Sequence, residues 1–407
     1  MARHLGVRFS GPGPDLVARQ VAEAFPSTPG LYVHVPFCRT LCPFCPYNKV
    51  EFQADLAADH LGDLEREASM YLDVLPGPFP SLYVGGGTPT LCLDGLAPLL
   101  SRLAITGERA IEVLPLHMTE DGAQRLGDLG FDFVSLGIQS FDPAVLRRLR
   151  RPGNPATNRT AIETALGRFS CVDVDLIFDT AYDDPRTLLR DLTTCFGLGV
   201  DQVSTYPLMR FGFTPFGKGA HDHRREHALL REATALAEES GYERRSVWSF
   251  NRLGSPSYTS ITRPYYLGIG AGAATFAGQL FTVNHFGLTP YREALRAGRL
   301  PVALVARLPW PTASAYRTFW QAYTGAIPAH TDDRLMRTPV SECARGAARV
   351  LGLARRVDGE LRFTPAGYDR YHDLERWVTY HLIEPLWAEM MAEHRAAPAA
   401  AREGAAR

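Results

Sequence analysis

The run LYVHVPFCRTLCPFCPYNK, residues 31–49, carries three cysteines in a C-x3-C-x2-C spacing directly after a segment rich in β-branched and aromatic residues. Thiolates are the ligands that select iron–sulfur clusters, and a short loop lets Cys38, Cys42 and Cys45 reach one inorganic core. A structural zinc site uses four ligands, whereas a [4Fe–4S] cluster held by three cysteines leaves one iron open. The run therefore predicts a [4Fe–4S] cluster with an open coordination position. The alternatives are buried core cysteines or an incomplete zinc site.

Composition sets limits on the class of protein. The 407 residues include 43 Lys and Arg against 44 Asp and Glu, so nothing indicates broad electrostatic binding of nucleic acid. The sequence has neither the apolar segment of a secretory signal nor a run of about eighteen apolar residues. Seven cysteines, an odd number, fit a reducing compartment better than a disulfide framework. We therefore expect a cytoplasmic protein with no membrane or nucleic-acid partner.

Short strand-like runs alternate with amphipathic segments along the first two thirds of the chain. The predicted strands are residues 31–36, 81–87, 110–115, 133–140, 172–178 and 201–208. Strands that alternate with helices form right-handed crossovers and a parallel sheet, and ligands gather at the C-terminal ends of such strands. Six units are too few for a closed eight-stranded barrel. We therefore predict an α/β fold, a partial (βα)6 TIM-like barrel over residues 31–290, preceded by an arm over residues 1–30.

The pattern changes after residue 290. Helical segments around 291–297 and 314–324 are followed by a hairpin-like sequence at 357–367 and a helical stretch at 368–394. Helices followed by a small β-wing predict a helical, winged-helix-like C-terminal domain over residues 291–394. A wing often binds nucleic acid, but this segment is not notably basic, so a substrate lid or a packing role is favoured. The alanine-rich end, 395–407, is predicted to be disordered.

Two features after the cysteines lie where a nucleoside ligand would be held. The sequence GGGTP follows the second strand, and consecutive glycines let a backbone approach a ligand closely; the alternative is a tight turn, for which a single glycine would usually suffice. Glu112 lies in the third strand, where a carboxylate can accept hydrogen bonds from ribose hydroxyls. The alternative for Glu112 is a surface carboxylate at a sheet edge.

Further polar residues occur on the later strands. Gln139 ends the fourth strand and Arg151 follows the next helix, where a solvated helix face is the alternative for the arginine. Asp173 and Asp175 alternate onto one face of the fifth strand, where a ligand or an arginine partner could neutralise them. The glycine-rich run at 265–276 is consistent with backbone packed over a cofactor, but it is weak evidence alone.

With these features in order, the chain resembles the radical S-adenosylmethionine (SAM) superfamily over about residues 30–290. Within it, the chain is similar to the oxygen-independent coproporphyrinogen III oxidases and their relatives. The resemblance implies a [4Fe–4S] cluster on Cys38, Cys42 and Cys45 and two molecules of SAM. Contacts to the cluster-bound SAM are implied for Tyr32, Gly86 and Glu112. Contacts to the second SAM are implied for Phe44, Gly87, Thr88, Gln139, Arg151, Asp175, Pro207 and Ala274, although Pro207 and Ala274 differ from the oxidase residues.

Departures from the resembled family bear on the reaction. Tyr47 stands where the oxidases carry a fourth cysteine, and residues 179–182 replace a Gly-Leu-Pro-like turn. The sequence therefore favours a class C-type radical SAM methyltransferase, or a cyclopropane-forming relative. Such an enzyme uses the second SAM for methyl or methylene transfer to an sp2 carbon of a natural-product or aromatic substrate.

Two alternatives stay open: a coproporphyrinogen oxidase-like or haem-modifying porphyrin enzyme, and a non-catalytic haem chaperone. The expected partners are a small-molecule substrate and a reductant such as flavodoxin or ferredoxin. No catalytic residue beyond the cofactor ligands is assigned.

Overall fold

The structure is a computed structural model that describes residues 9–11, 16–217, 222–256, 263–328 and 331–396. The predicted tail lies outside the described residues from position 397 onward. The strands are β1 Gly30–Val35, β2 Phe37–Cys38, β3 Val50–Glu51, β4 Leu82–Gly86, β5 Arg109–Val113, β6 Phe133–Gln139, β7 Cys171–Phe178, β8 Gln202–Pro207, β9 Tyr242–Arg244, β10 Ser249–Arg252, β11 Tyr266–Ile269, β12 Ala274–Ala277, β13 Leu280–Asn284, β14 Val302–Arg307, β15 Ala326–Pro328, β16 Ala354–Val357 and β17 Glu360–Phe363.

The helices lie between these strands and, at the end of the chain, beyond them. They are α1 Ala18–Ala24, α2 Ala54–Leu72, α3 Leu93–Arg102, α4 Glu120–Asp128, α5 Pro143–Arg148, α6 Pro155–Ala165, α7 Arg186–Leu198, α8 His223–Glu239, α9 Leu288–Arg296, α10 Trp310–Ala322, α11 Pro339–Val350, α12 Pro365–Val378 and α13 Glu384–Ala396. Among the described residues, no helix combines the length and the apolar character needed to cross a membrane.

One large sheet forms the centre of the fold. Its strand order is β14-β13-β12-β11-β1-β4-β5-β6-β7-β8-β10-β9, and its neighbours pair in parallel from β11 to β8. The six predicted strands correspond to β1 and β4–β8, so the prediction of a partial (βα)6 barrel is confirmed. Antiparallel strands extend both edges, and the sheet runs to Arg307. The proposed domain boundary at 290 stays a prediction.

Burial explains why these segments form a parallel sheet. Strand β6 is buried at six of its seven positions, the near-continuous pattern of a strand covered on both faces. Helix α2 buries Ala57, Leu64, Ala68 and Tyr71, which share one helical face, and exposes polar residues on the other. The C-terminal ends of the strands carry the cysteine loop after β1, Gly86 at the end of β4 and Gln139 at the end of β6.

A smaller three-stranded sheet, order β15-β17-β16, packs with α10, α11 and α12 near the end of the chain. The β16–β17 hairpin turns at Asp358 and Gly359, whose φ angles of 49° and 80° match the turn that favours two-residue hairpins. Helices with a short β-wing are therefore present, as predicted. Helix α12 begins at Pro365 and continues through a π-helical turn, Thr379–Ile383, into α13.

Candidate functional site

The three cysteines of the loop lie close to groups from two other parts of the chain. Cys38 ends β2, and its Sγ lies 3.6 Å from the Thr88 hydroxyl. The Sγ of buried Cys42 lies 3.8 Å from a guanidinium nitrogen of Arg151. The Cys45 amide donates to the Cys42 carbonyl at 3.3 Å, which closes the loop. The loop thus faces both the glycine-rich turn after β4 and the segment after α5.

The chemistry of this donor set fits an iron–sulfur cluster. Burial, and to a smaller extent the neighbouring thiolates, raise the pKa of Cys38 to about 11 and also raise the pKa of Cys45. Crowded, buried thiols of this kind need a cationic partner to ionise, which cluster iron would supply. Within the described part of the chain, no group of three or more His, Cys, Asp or Glu side chains converges on a single metal ion. A cluster does not require such convergence, because it bonds each cysteine to a different iron.

The glycine-rich turn after β4 is clamped against the cysteine loop. Gly86 has a φ of +116°, and a Cβ on it would lie 2.7 Å from the His34 ring. A Cβ on Gly87 would lie 2.6 Å from the Phe37 carbonyl oxygen. The Thr88 amide donates to that same oxygen at 2.7 Å. Glycine is therefore required at both positions, and the turn is fixed beside Cys38.

His34, which the sequence reasoning did not single out, organises the first strand. Its Nε2 donates to the Asn48 carbonyl at 3.1 Å, so its Nδ1 accepts from the Tyr32 hydroxyl at 2.7 Å. Burial lowers the pKa of His34 to about 4, and the ring is therefore neutral at pH 7. The Tyr32 ring stacks on Tyr83 with centroids 5.7 Å apart. The tautomer of His34 thus fixes the hydroxyl of Tyr32, a predicted SAM contact.

Glu112 lies beside the same turn. One carboxylate oxygen accepts from the Gly86 amide at 3.1 Å, and the other accepts a short hydrogen bond from the Tyr83 hydroxyl. Burial and then the negative charge of Asp175 raise the pKa of Glu112, the Gly86 amide and Arg151 lower it, and the result is a pKa of about 8. The prediction of a carboxylate at the strand ends is consistent with this placement, and the surface alternative is excluded by the burial.

Arg151 lies at the centre of the charged groups. Its Nε and Nη2 donate to the Gly137 carbonyl at 3.1 and 2.6 Å. Asp175 accepts from the Ser135 hydroxyl at 2.7 Å; burial raises its pKa to about 6, and Ser135 and Arg151 oppose that rise. Arg151 therefore lies between the cysteine loop and the carboxylates, rather than on a solvated helix face.

Gln139 and Asp173, both singled out in the sequence, lie in different surroundings in the structure. Gln139 is buried and adopts a φ of +71°, where the pairing of β6 with β7 shifts register. Such strain in a non-glycine residue is typical of functional sites. Asp173 bonds to Ser204 and Gln202 at 2.9–3.0 Å, so its partners are neutral side chains and not an arginine. The charge of Asp175 raises the pKa of Asp173, which agrees with the predicted placement of both on one face of the strand.

The remaining predicted contacts lie in apolar surroundings. Phe44 packs with a small cluster that includes Leu149 and Leu208. Pro207 is buried at the end of β8, and Ala274 begins β12 and packs beside Val283. Contact of these three residues with a second SAM stays a prediction.

Tyr47 connects the cysteine loop to the C-terminal helices. Its ring lies 5.6 Å from that of Trp387 on α13. Although 55% of Tyr47 is accessible, burial and then the charges of Glu112, Cys45 and Asp175 raise its pKa. Tyr47 therefore lies near these charges and beside the mouth of the site, the space bounded by the strand ends and the C-terminal helices.

Glu375 on α12 is a second residue that sequence reasoning missed. It is 6% exposed; one oxygen accepts from Thr379 at 3.0 Å, and the other has no partner among the described residues. Burial raises the pKa of Glu375 to about 7, and its charge raises that of Tyr47. No local sequence pattern predicts this unpaired oxygen, because Glu375 is in a helix far along the chain from the other site residues.

Comparison with known proteins identifies the family. A family model described as the radical SAM superfamily matches residues 32–192. The heme chaperone HemW of Mycobacterium tuberculosis (strain ATCC 25618 / H37Rv) is 34% identical over 334 residues, which cover 76% of this chain and 80% of the relative. The chain belongs to the radical SAM superfamily. The predicted membership is therefore confirmed.

Other relatives place this radical SAM protein near the coproporphyrinogen oxidases. Anaerobilin synthase of Escherichia coli O157:H7 is 27% identical and covers 68% of this chain and 67% of its own length. An oxygen-independent coproporphyrinogen III oxidase of Cereibacter sphaeroides (strain ATCC 17025 / ATH 2.4.3) is 26% identical over 72% of each chain. The solved structure of coproporphyrinogen III oxidase HemN from Escherichia coli matches with a TM-score of 0.76 at 21% identity. It covers 90% of this chain and 94% of that one, which shows the shared fold.

These findings support the predicted cluster and SAM, but they do not support the predicted methyl transfer. Membership in the radical SAM superfamily implies a [4Fe–4S] cluster and SAM, and the cysteine loop and the Gly86 turn fit those groups. The methyltransferase reading that the sequence favoured is not supported, because the relatives favour the porphyrin-directed alternative. Tyr47 in place of a fourth cysteine was too narrow a basis for that reading.

Proposed function

We propose that this radical SAM enzyme acts on a tetrapyrrole, either by oxidative decarboxylation of coproporphyrinogen-type propionates or by radical attack on haem. The observation that carries the proposal is the agreement among relatives that cover two thirds or more of the chain. Coproporphyrinogen III and haem, which their names contain, are both tetrapyrroles with carboxylate side chains.

The residues of the site have separate tasks in this proposal. Cys38, Cys42 and Cys45 would hold a [4Fe–4S] cluster, and a bound cluster with SAM supplies a 5′-deoxyadenosyl radical that removes a hydrogen atom from the substrate. Tyr32 and Glu112 would hold the SAM, since Tyr32 bonds to His34 in the strand that leads into the cysteine loop and Glu112 bonds to the Gly86 amide. Neutral His34 fixes the Tyr32 hydroxyl without adding a charge next to the SAM sulfonium.

A second SAM is part of the proposal. Arg151 and Asp175 would contact it, because both lie among the buried charges next to Cys42 and Glu112. Transfer of its methyl or methylene group is the less favoured use, since the coproporphyrinogen-oxidase-like relatives do not support it.

The mouth of the site would hold the tetrapyrrole. Tyr47 and Trp387 form an aromatic wall there, and flat aromatic surfaces suit a macrocycle. The Arg210 amide donates to the Tyr380 hydroxyl at 2.9 Å, which ties the segment after β8 to the C-terminal helices. The C-terminal helices would therefore act as a lid over the substrate.

A second candidate function is haem binding without turnover. The 34% identical relative named as a heme chaperone is the observation that favours it. Haem would then bind in the same mouth, and the cluster would have a role other than catalysis.

One experiment separates these readings. The protein is reconstituted anaerobically with iron and sulfide and supplied with SAM, dithionite and either coproporphyrinogen III or haem. Formation of 5′-deoxyadenosine together with carbon dioxide supports the oxidase reading, and its formation with loss of the haem Soret band supports haem modification. A Soret band that persists without 5′-deoxyadenosine supports the chaperone reading. S-adenosylhomocysteine formed with either substrate would contradict the preference against methyl transfer.

A further inference from the structure

A cavity of about 840 Å³ lies away from the cysteine loop, between the β8–β10 edge of the large sheet and the small sheet of the C-terminal part. Its walls include Gln202 and Asn251 on one side and Arg362 on the other. None of the described residues that line it is a predicted ligand of the cluster or of SAM. The cavity is therefore a separate space whose size suits an organic molecule as large as a sugar phosphate or a nucleotide.

The charge of the cavity walls is positive. Five arginines and three glutamates line it, and the arginines are Arg231, Arg244, Arg245, Arg355 and Arg362. Arg231 pairs with Asp369 at 3.2 Å, and Arg245 pairs with Glu243. Arg244 makes no ion pair among the described residues. Its guanidinium donates to the Val247 carbonyl and lies 4.3 Å from the Tyr368 ring centroid. Arg244 is thus a half-buried cation that makes no direct ion pair with a described carboxylate, although Asp369 lies near enough to raise its pKa.

Two further arginines are placed side by side. Arg355 and Arg362 are directly opposite each other on β16 and β17, where like charges destabilise a sheet. Glu360 lies 3.4 Å from Arg362, but the Nε of Arg362 is buried without a partner among the described residues. An anion between the two strands would relieve this repulsion and would satisfy that donor.

The opposite wall offers a hydrogen-bond acceptor. Asn251 is 2% exposed, and its Nδ2 donates to Gln202 at 2.8 Å, while its Oδ1 has no partner among the described residues. A buried acceptor without a donor is costly, so a hydroxyl or amine of a ligand fits there. Gln202 in turn donates to Asp173 at 3.0 Å, and Asp173 is on the same strand as Asp175. The cavity is therefore linked to the carboxylates of the candidate site.

We propose that this cavity binds a hydroxylated organic polyanion. Its phosphate or carboxylate groups pair with Arg244, Arg355 and Arg362, and one of its hydroxyls donates to Asn251 Oδ1. Because the cavity joins the large sheet to the C-terminal part, such a ligand holds the two together. The inference does not depend on the substrate proposed above.

Isothermal titration of the holoenzyme tests the proposal at constant ionic strength, because exposed arginines attract any anion at low salt. The probes are fructose 1,6-bisphosphate for phosphate esters and malate for carboxylates, and both carry a hydroxyl. We expect one site per chain for at least one probe, and the probe that binds tells which anionic group the site takes.

Two variants complete the test. The exposed and half-exposed pair R355A/R362A should weaken binding by at least about tenfold. The control R370A removes a 74% exposed arginine of α12 that does not line the cavity, and it should leave binding unchanged. The absence of saturable binding of both probes up to about 10 mM would overturn the proposal, and so would equal losses in R355A/R362A and R370A.

Discussion

Replacing Glu112 by glutamine should weaken SAM binding while it stabilises the protein at high pH. The carboxylate accepts from the Gly86 amide at 3.1 Å and from Tyr83, and an amide oxygen of the same shape can keep one of these bonds. At pH 9, above its pKa of about 8, Glu112 is ionised, and a hydrogen bond from SAM to this charged carboxylate is worth about 1.5–3 kcal/mol against about 1 for a neutral amide. The loss of about 1–2 kcal/mol corresponds to about 5- to 30-fold weaker binding of SAM to the reconstituted enzyme at pH 9.

The stability effect has the opposite sign. The folded protein holds the Glu112 proton up to a pKa of about 8, whereas the unfolded chain releases it near 4.5. The stability of the wild type therefore falls as pH rises from about 4.5 to 8, by at most about 5 kcal/mol from this group. E112Q cannot ionise, so at pH 9 it should need more denaturant to unfold than the wild type, and at pH 5 about the same amount.

Anaerobic denaturant titrations at pH 5 and 9 and equilibrium dialysis with SAM measure the two effects. Glu120→Gln is the matched control, because Glu120 is 74% exposed and lies at the start of α4. If Glu112 had a purely structural role, the E112Q substitution would lower both the stability of the protein and its affinity for SAM. Unchanged SAM binding in E112Q, or lower stability at pH 9, would refute the reasoning.

Other substitutions test neighbouring parts of the site. Gly86→Ala places a Cβ against the His34 ring at a φ of +116°, so it should destabilise the fold by about 1–3 kcal/mol and reduce SAM binding. Gly298→Ala is the control, because Gly298 also has a positive φ but no atom lies within 4 Å of its Cβ; equal loss of SAM binding in both would contradict the clamp. Glu375→Gln should flatten any change in substrate turnover between pH 6 and 8, since burial raises the pKa of Glu375 to about 7; a pH profile identical to that of the wild type would argue against a substrate-facing role. Tyr47→Phe should keep the aromatic wall with Trp387 and retain tetrapyrrole affinity, whereas Tyr47→Ala should reduce it, as measured by fluorescence quenching; equal affinities would exclude Tyr47 from the mouth.

Local sequence signals predicted the part of the site that is local. The cysteine spacing and the glycine turn are short motifs, and the six parallel strands have strong apolar runs, so their positions agree with the structure to within about two residues. Glu112 and Asp175 were singled out as carboxylates within predicted strands, and their contacts with SAM were implied by the family resemblance.

Local sequence patterns could not predict contacts between residues that are far apart in the chain. The tautomer of His34 depends on the Asn48 carbonyl, and the unpaired oxygen of Glu375 depends on how α12 packs. The antiparallel strands at both sheet edges were also missed, because short segments such as β12 carry little periodicity. The preference for methyl transfer lacks support for a different reason: Tyr47 shows only that the fourth cysteine of the oxidases is absent, and a single position does not specify a substrate.

The central claim is that three cysteines of one loop hold a [4Fe–4S] cluster. Iron and sulfide analysis with electron paramagnetic resonance of the dithionite-reduced protein tests it directly, in the wild type, in Cys42→Ala and in Cys343→Ala, which removes an exposed cysteine outside the loop. In the wild type and in C343A we predict about four irons per chain and a paramagnetic resonance signal that changes when SAM is added. In C42A we predict neither this iron content nor this signal. Full iron content and an unchanged spectrum in C42A would contradict the account.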